Sequence, residues 1–163
     1  MYDRLLNLIL YSTIITEEVV CEMDILSTFC GFLDDEDVLK MTTTSTENTA
    51  DADLLWTVFA PTDQAFEYAE DVLDGLDPNI VLDILKFHTV PGDELFSDDL
   101  VCESNVLMGN GQASFTSCST YSGYIYQQGP GNMNPRQPRI IATDMPACNG
   151  VVHVVNRVLL PDF

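Results

Sequence analysis

At 163 residues, with 46% hydrophobic side chains and nine glycines, the chain has the size and composition of one globular domain, which argues against disorder, collagen-like repeats or a membrane bundle. Six Lys and Arg against 26 Asp and Glu give a formal net charge of −20; nucleic acid is excluded as a partner, because neutralising phosphate takes clustered cations. The charge is lopsided: residues 1–103 carry 24 acids and 3 bases, net −21, and residues 104–163 carry 2 and 3, net +1.

The chain opens on the apolar run LLNLILYSTII, too short and too interrupted by Asn7 and Ser12 to span a bilayer. Residues 1–14 read as a leader or the remnant of a linker, since no net positive start or small-residue cleavage site accompanies the run. A helix is predicted after Asp24, its expected N-cap, with Ile25, Leu26, Phe29, Cys30 and Leu33 on one face. Cys21 ends a preceding short helix, and a Cys21–Cys30 bridge staples the two if the turn brings their Cα atoms within about 7 Å. Reduced, buried thiols are the alternative for the cysteines. DDED at 34–37 lacks the alternating ligands and central glycine of a calcium loop, and TTTSTENT at 42–49 reads as a polar loop.

LLWTVFA at 54–60 is short, continuous and rich in branched and aromatic residues, the pattern of a strand buried on both faces. Pro61 is expected to stop it, and Thr62 or Asp63 to cap the helix that follows. A second helix opens at Asp77 and Pro78 and runs to His88. HTVPG then gives extended chain. From Leu100 the pattern becomes short strands, VLM, ASFTSC, GYIYQ, RIIAT and GVVHVVNRVLL, split by turn residues. Pairing VLM with ASF across GNGQ brings Cys102 and Cys118 close to register, which makes them the second bridge and leaves Cys148 without a partner.

Two boxes carry a family pattern. TVFAPTDQAF at 57–66 and NGVVHVVNRVLLP at 149–161 resemble the signature segments of fasciclin domains, and ILKFHTVPG at 84–92 is similar to the family's central Tyr-His segment. In these boxes Thr62, Asp63, Asn149, Gly150 and His153 match structural motif positions. The Cys21 and Cys30 spacing and the ACNG tetrapeptide are more similar to algal and microbial members than to animal ones. The resemblance implies an α+β fold, a compact β-sandwich or wedge flanked by several short helices, over one domain at 15–163. It also implies display outside the cell, secreted or on its surface, an association with adhesion, and no common catalytic function. Phe87 stands where the adhesion-linked tyrosine of the central segment would be, and Asn156 replaces an acid, so carrying ligand contact over to Phe87 and His88 departs from the pattern.

The residues themselves offer no nucleophile elbow, zinc-protease helix or phosphate loop, and the scattered Cys and His do not form a zinc pattern. No enzyme activity, cofactor or metal is therefore expected. A histidine at a helix-to-strand junction more often holds backbone groups than ligands, and this applies to His88 and, within its apolar strand, to His153. Tyr121, Tyr124 and Tyr126 precede a loop of Gly, Asn, Gln and Pro that also holds Arg136 and Arg139, the composition of a binding loop. The expected partners are an extracellular matrix protein or polysaccharide, or a second copy, with no direct membrane insertion. Packing of Tyr124 and Tyr126 along one strand face is the plainer alternative.

Overall fold

The computed structural model describes residues 19–33, 55–132, 137–147 and 150–162. Strand β1, Trp56–Pro61, is buried along its whole length. It is central in a four-stranded sheet of order β2-β1-β7-β6, flanked by β2, Thr89–Pro91, and by β7, Gly150–Val155, with β6, Ile140–Ala147, at the far edge. The pairs β1/β2 and β6/β7 are antiparallel, and β1 and β7 run parallel from Trp56↔Gly150 to Pro61↔Val155. A parallel pair covered on both faces calls for largely apolar side chains. TVFA and GVVHVV provide them, apart from the buried, hydrogen-bonded Thr57 and His153.

The helices cover one face. A 3₁₀ turn, Asp24–Leu26, leads into α1, Ser27–Leu33; α2 is Asp63–Leu73 and α3 is Pro78–Lys86. Val58, Ala60, Val152 and Val154 of the sheet form one cluster with Val20, Leu26, Phe29 and Leu85. Ala65, Ala69, Ile84 and Val158 fill the space between α2 and α3. On the opposite face Phe59, Val155 and Ile140 meet Phe87, Leu100, Met108 and Leu159, with Val106 and Ile125 packed against them. Val106 and Ile125 come from a second sheet, β3-β4-β5, made of Ser104–Leu107, Ala113–Cys118 and Ile125–Gln128. The architecture is therefore α+β, two sheets packed into a sandwich and backed by short helices.

Several expected boundaries move. Pro61 does not stop β1 but pairs with Val155 as its last residue, and Leu55 before it is exposed. Asp24 is not an N-cap: Met23 holds that place without a side-chain bond, and Asp24 lies in the first turn. The helix expected to reach His88 ends at Lys86, with Phe87 as its C-cap. The strand expected at 106–108 is Ser104–Leu107, and Met108 turns inward to the core. The sulfurs of Cys21 and Cys30, and of Cys102 and Cys118, lie at bonding distance with Cα separations of 5.1 and 5.5 Å. Arg136, Cys148, Asn149, DDED and TTTSTENT lie outside the described residues.

Candidate functional site

The signature boxes build an anchoring network. Thr57, fully buried, donates to the Asp93 carbonyl and accepts from the Leu95 N–H, both at 2.8 Å, fixing the loop after β2 to β1. Thr62 caps α2 through the Ala65 N–H at 3.1 Å. Asp63 does not share that task. Its carboxylate reaches across to the start of α1, accepting from the Thr28 N–H and the Ser27 hydroxyl at 2.7 Å each. Burial pushes the Asp63 carboxyl up, and these bonds outweigh it, leaving its pKa below the ordinary value.

Both histidines are engaged with backbone. His88 Nδ1–H donates to the Ile84 carbonyl at 2.8 Å and Nε2 accepts from the Leu159 N–H at 2.9 Å, the tautomer those partners require. Its burial drives the pKa down to about 4, so the ring stays neutral at ordinary pH. His153 donates from Nε2 to the Leu95 carbonyl at 2.7 Å and accepts at Nδ1 from the Asp144 N–H at 3.3 Å. Burial lowers its pKa against the opposing Leu95 carbonyl and Asp144 charge. Ala142 pairs with Val154 and Met145 with Val152, so Thr143 and Asp144 together oppose His153 in a bulge. Asp144, at φ 58°, also accepts from the Ser97 N–H at 2.6 Å and from its hydroxyl. Phe87 and His88, named as contacts by the family's central segment, are both buried, Phe87 at 0% exposure. Their side chains are packed in the core.

Two anchoring residues lay unread in the sequence. Asn132 accepts from the Gly129 and Leu160 N–H groups at 2.9 and 3.0 Å and donates to the Val158 carbonyl at 2.9 Å, tying the loop after β5 to the C-terminal segment. Gln127 bridges the Ser114 and Thr116 hydroxyls within the second sheet, all three side chains fully buried. An asparagine among Gly and Pro reads as a turn residue, and a Gln-Gln pair carries no burial signal. Gly150 is a motif position with a direct steric cause: a Cβ there would lie 1.9 Å from the Trp56 carbonyl oxygen.

The tyrosines lie elsewhere. The β4–β5 hairpin closes with Ser119 N–H bonded to the Tyr124 carbonyl. Tyr121 at its tip is fully exposed and Tyr124 is 46% exposed. Inside the sheet Ser114, Thr116, Ile125 and Gln127 face the core, so strand alternation puts Tyr126 and Gln128 on the outer face. Arg139 opposes Tyr126 in an isolated bridge and lays its guanidinium 4.5 Å from the centre of the Tyr124 ring. Tyr124, Tyr126 and Arg139 thus form one outward cluster, and Tyr121 stands apart at the tip. No Asp, Glu, Lys, Arg or His occurs between Glu103 and Arg136, which makes the whole second sheet uncharged in a chain of net charge −20. Helix α2 carries Asp63, Glu67, Glu70 and Asp71, and its Tyr68 is covered by Arg157 at 3.7 Å.

Among the described residues no group of three or more His, Cys, Asp and Glu could hold a metal ion, and no helix is long and apolar enough to cross a membrane. Anchored loops, a doubly covered parallel pair and an outward tyrosine cluster define a scaffold whose conspicuous feature is a displayed surface. The fasciclin domain model matches residues 25–161, and the chain belongs to the fasciclin domain family, modules associated with cell adhesion and generally without catalytic function. The chain is 24% identical over 106 residues to Stabilin-2 of Rattus norvegicus and 26% identical over 111 residues to protein sll1483 of Synechocystis sp., each across 65% of its length. It spans 7% of Stabilin-2 and 55% of protein sll1483. The fold matches the FAS1 domain pair of the insect cell adhesion molecule fasciclin I with a TM-score of 0.50 at 20% identity, over 64% of this chain and 36% of that one.

Proposed function

We propose that the chain is an extracellular adhesion or matrix-binding module, one domain over residues 15–163, that acts by surface contact without catalysis. The tyrosine-bearing hairpin carries this reading. Tyrosine offers a large contact area with little rotamer entropy to lose, and here three of them lie on or beside a neutral sheet edge while α2, on the helical side, carries Asp63, Glu67, Glu70 and Asp71. Family membership and two cysteine pairs at bonding distance support a place outside the cell, where disulfides persist. The partner is a matrix protein or polysaccharide. Retention of the purified domain on an extracellular matrix preparation tests the reading, with Tyr121, Tyr124 and Tyr126 replaced together by Ala in a chain that keeps its unfolding midpoint. Loss of retention is expected. Undiminished retention would reject the surface.

A second reading, a self-associating structural component, draws on the open side of β3. Among the described residues that strand is paired only with β4, and it exposes Leu107; unpaired edges template pairing with another chain. Sedimentation equilibrium showing concentration-dependent oligomers without added ligand would favour it.

A further inference from the structure

The outer face of the three-stranded sheet contains more than the hairpin tyrosines. Opposing residues in the ladder share a face, so Phe115 lies beside Gln128, Ser117 beside Tyr126, and Leu107, 67% exposed, continues the face onto β3. Tyr124 and Tyr126 are two residues apart, roughly 7 Å along the strand. The face therefore carries aromatic side chains at two-residue spacing, with amide and hydroxyl groups between them. One polar atom on this face is unexplained. Gln128 Oε1 is buried with no hydrogen-bond partner among the described residues, so turning it outward to meet a donor breaks no existing bond. A buried acceptor without a partner among the described residues is free to take a donor from outside them.

Charge narrows the occupant. A sulfated or uronic polymer would approach a protein of net charge −20, and the single arginine described beside this face is already stacked on Tyr124. A desolvated apolar pocket, the usual centre of a protein contact, is not what a sheet face of interspersed aromatic, amide and hydroxyl groups provides. A polymer of hydroxyl groups and apolar ring faces, carrying no charge, satisfies the rings, the orphan acceptor and the missing cations together.

We infer that the outer face of β3-β4-β5, centred on Tyr124, Tyr126, Phe115 and Gln128, binds a neutral polysaccharide by stacking sugar rings on the aromatic side chains and donating a sugar hydroxyl to Gln128 Oε1. This inference rests on the matrix-binding reading and gives it a ligand class. Affinity electrophoresis of the whole chain through gels containing hydroxyethylcellulose, xyloglucan or laminarin, with polygalacturonate and chondroitin sulfate as anionic controls, tests it. Retardation by at least one neutral polymer is expected, insensitive to salt, and weakened about tenfold in Y124A/Y126A, a loss worth about 1.4 kcal/mol. Because the double variant could misfold, S117R sets a charged, bulky side chain on the exposed face opposite Tyr126 and must abolish the same retardation, while Y68A, on the helical side, must not. Retardation by none of the three neutral polymers, by the anionic ones alone, or equally in all variants overturns the inference. If matrix retention nevertheless falls in the triple tyrosine variant, the adhesion reading stands and its partner is a protein. If neutral polymers bind but the domain is not retained on matrix at all, the adhesion reading fails separately.

Discussion

His88 sits between the Ile84 carbonyl and the Leu159 N–H, and protonating it removes the acceptor that the second of these needs. Its pKa in the fold is about 4, against 6.5 for a free imidazole. The unfolded chain therefore binds the extra proton first, so the stability due to this group is complete above pH 6.5 and is lost as pH falls towards 4. The full difference is about 3 kcal/mol. Urea unfolding at pH 7 and pH 4.5 should show most of that loss, and H88Q, which keeps a donor and an acceptor without titrating, should show less of it; His153, lowered in the same direction, supplies the remainder. Asp144 and Asp63, both held low, extend acid sensitivity below about pH 4. Asn132→Ala strands two N–H groups and a carbonyl in the interior and should cost about 3 kcal/mol in the same measurement. The backbone-holding role of His88 was readable from its place at a helix end. Asn132 was not, because its partners lie 26 and 28 residues further on and nothing local distinguishes it from an ordinary turn asparagine.

Local chemistry fixed where most elements lie, and long-range contact fixed their ends. TVFA and GVVHVV read as buried strands because nearly every position is apolar, yet their parallel pairing could not be read, since it joins segments about ninety residues apart. Asp63 shows the same limit at a helix start: a capping acid was legible, but the helix it caps is α1, not its own. Asp63→Ala should cost about 1 kcal/mol and speed amide exchange in Ser27–Leu33 while leaving Trp56–Pro61 protected, a pattern that capping of α2 would not give. The Cys102–Cys118 closure, 16 residues apart, ties the chain before β3 to the end of β4, directly beneath the tyrosine hairpin. The C102S/C118S pair should lower stability by about 3 kcal/mol, measured by thermal unfolding under non-reducing conditions against the parent chain.

At the scale of the whole molecule charge follows chain order rather than sheet membership. The helices and the segment from Asp93 to Glu103 hold most of the described acids, and the second sheet, from β3 to β5, carries no Asp, Glu, Lys, Arg or His. Self-repulsion of the acidic side favours solubility and keeps copies apart there. The uncharged side lets a partner approach without that cost. The sequence disclosed the lopsided charge and the run of tyrosines; it could not disclose that Tyr124 and Tyr126 point away from the core, because Ile125 and Gln127, which point inward, alternate with them and are no more apolar as a pair.

Hydroxyl-radical footprinting of the domain bound to an extracellular matrix preparation would test the central claim, that this uncharged sheet is the contact side. Tyr121, Tyr124 and Tyr126 should lose most of their oxidation on binding, while Tyr68, exposed to a similar degree as Tyr124 but placed on α2, should keep its own. Protection of Tyr68 with the hairpin tyrosines unchanged would place the contact on the acidic, helical side and contradict the account.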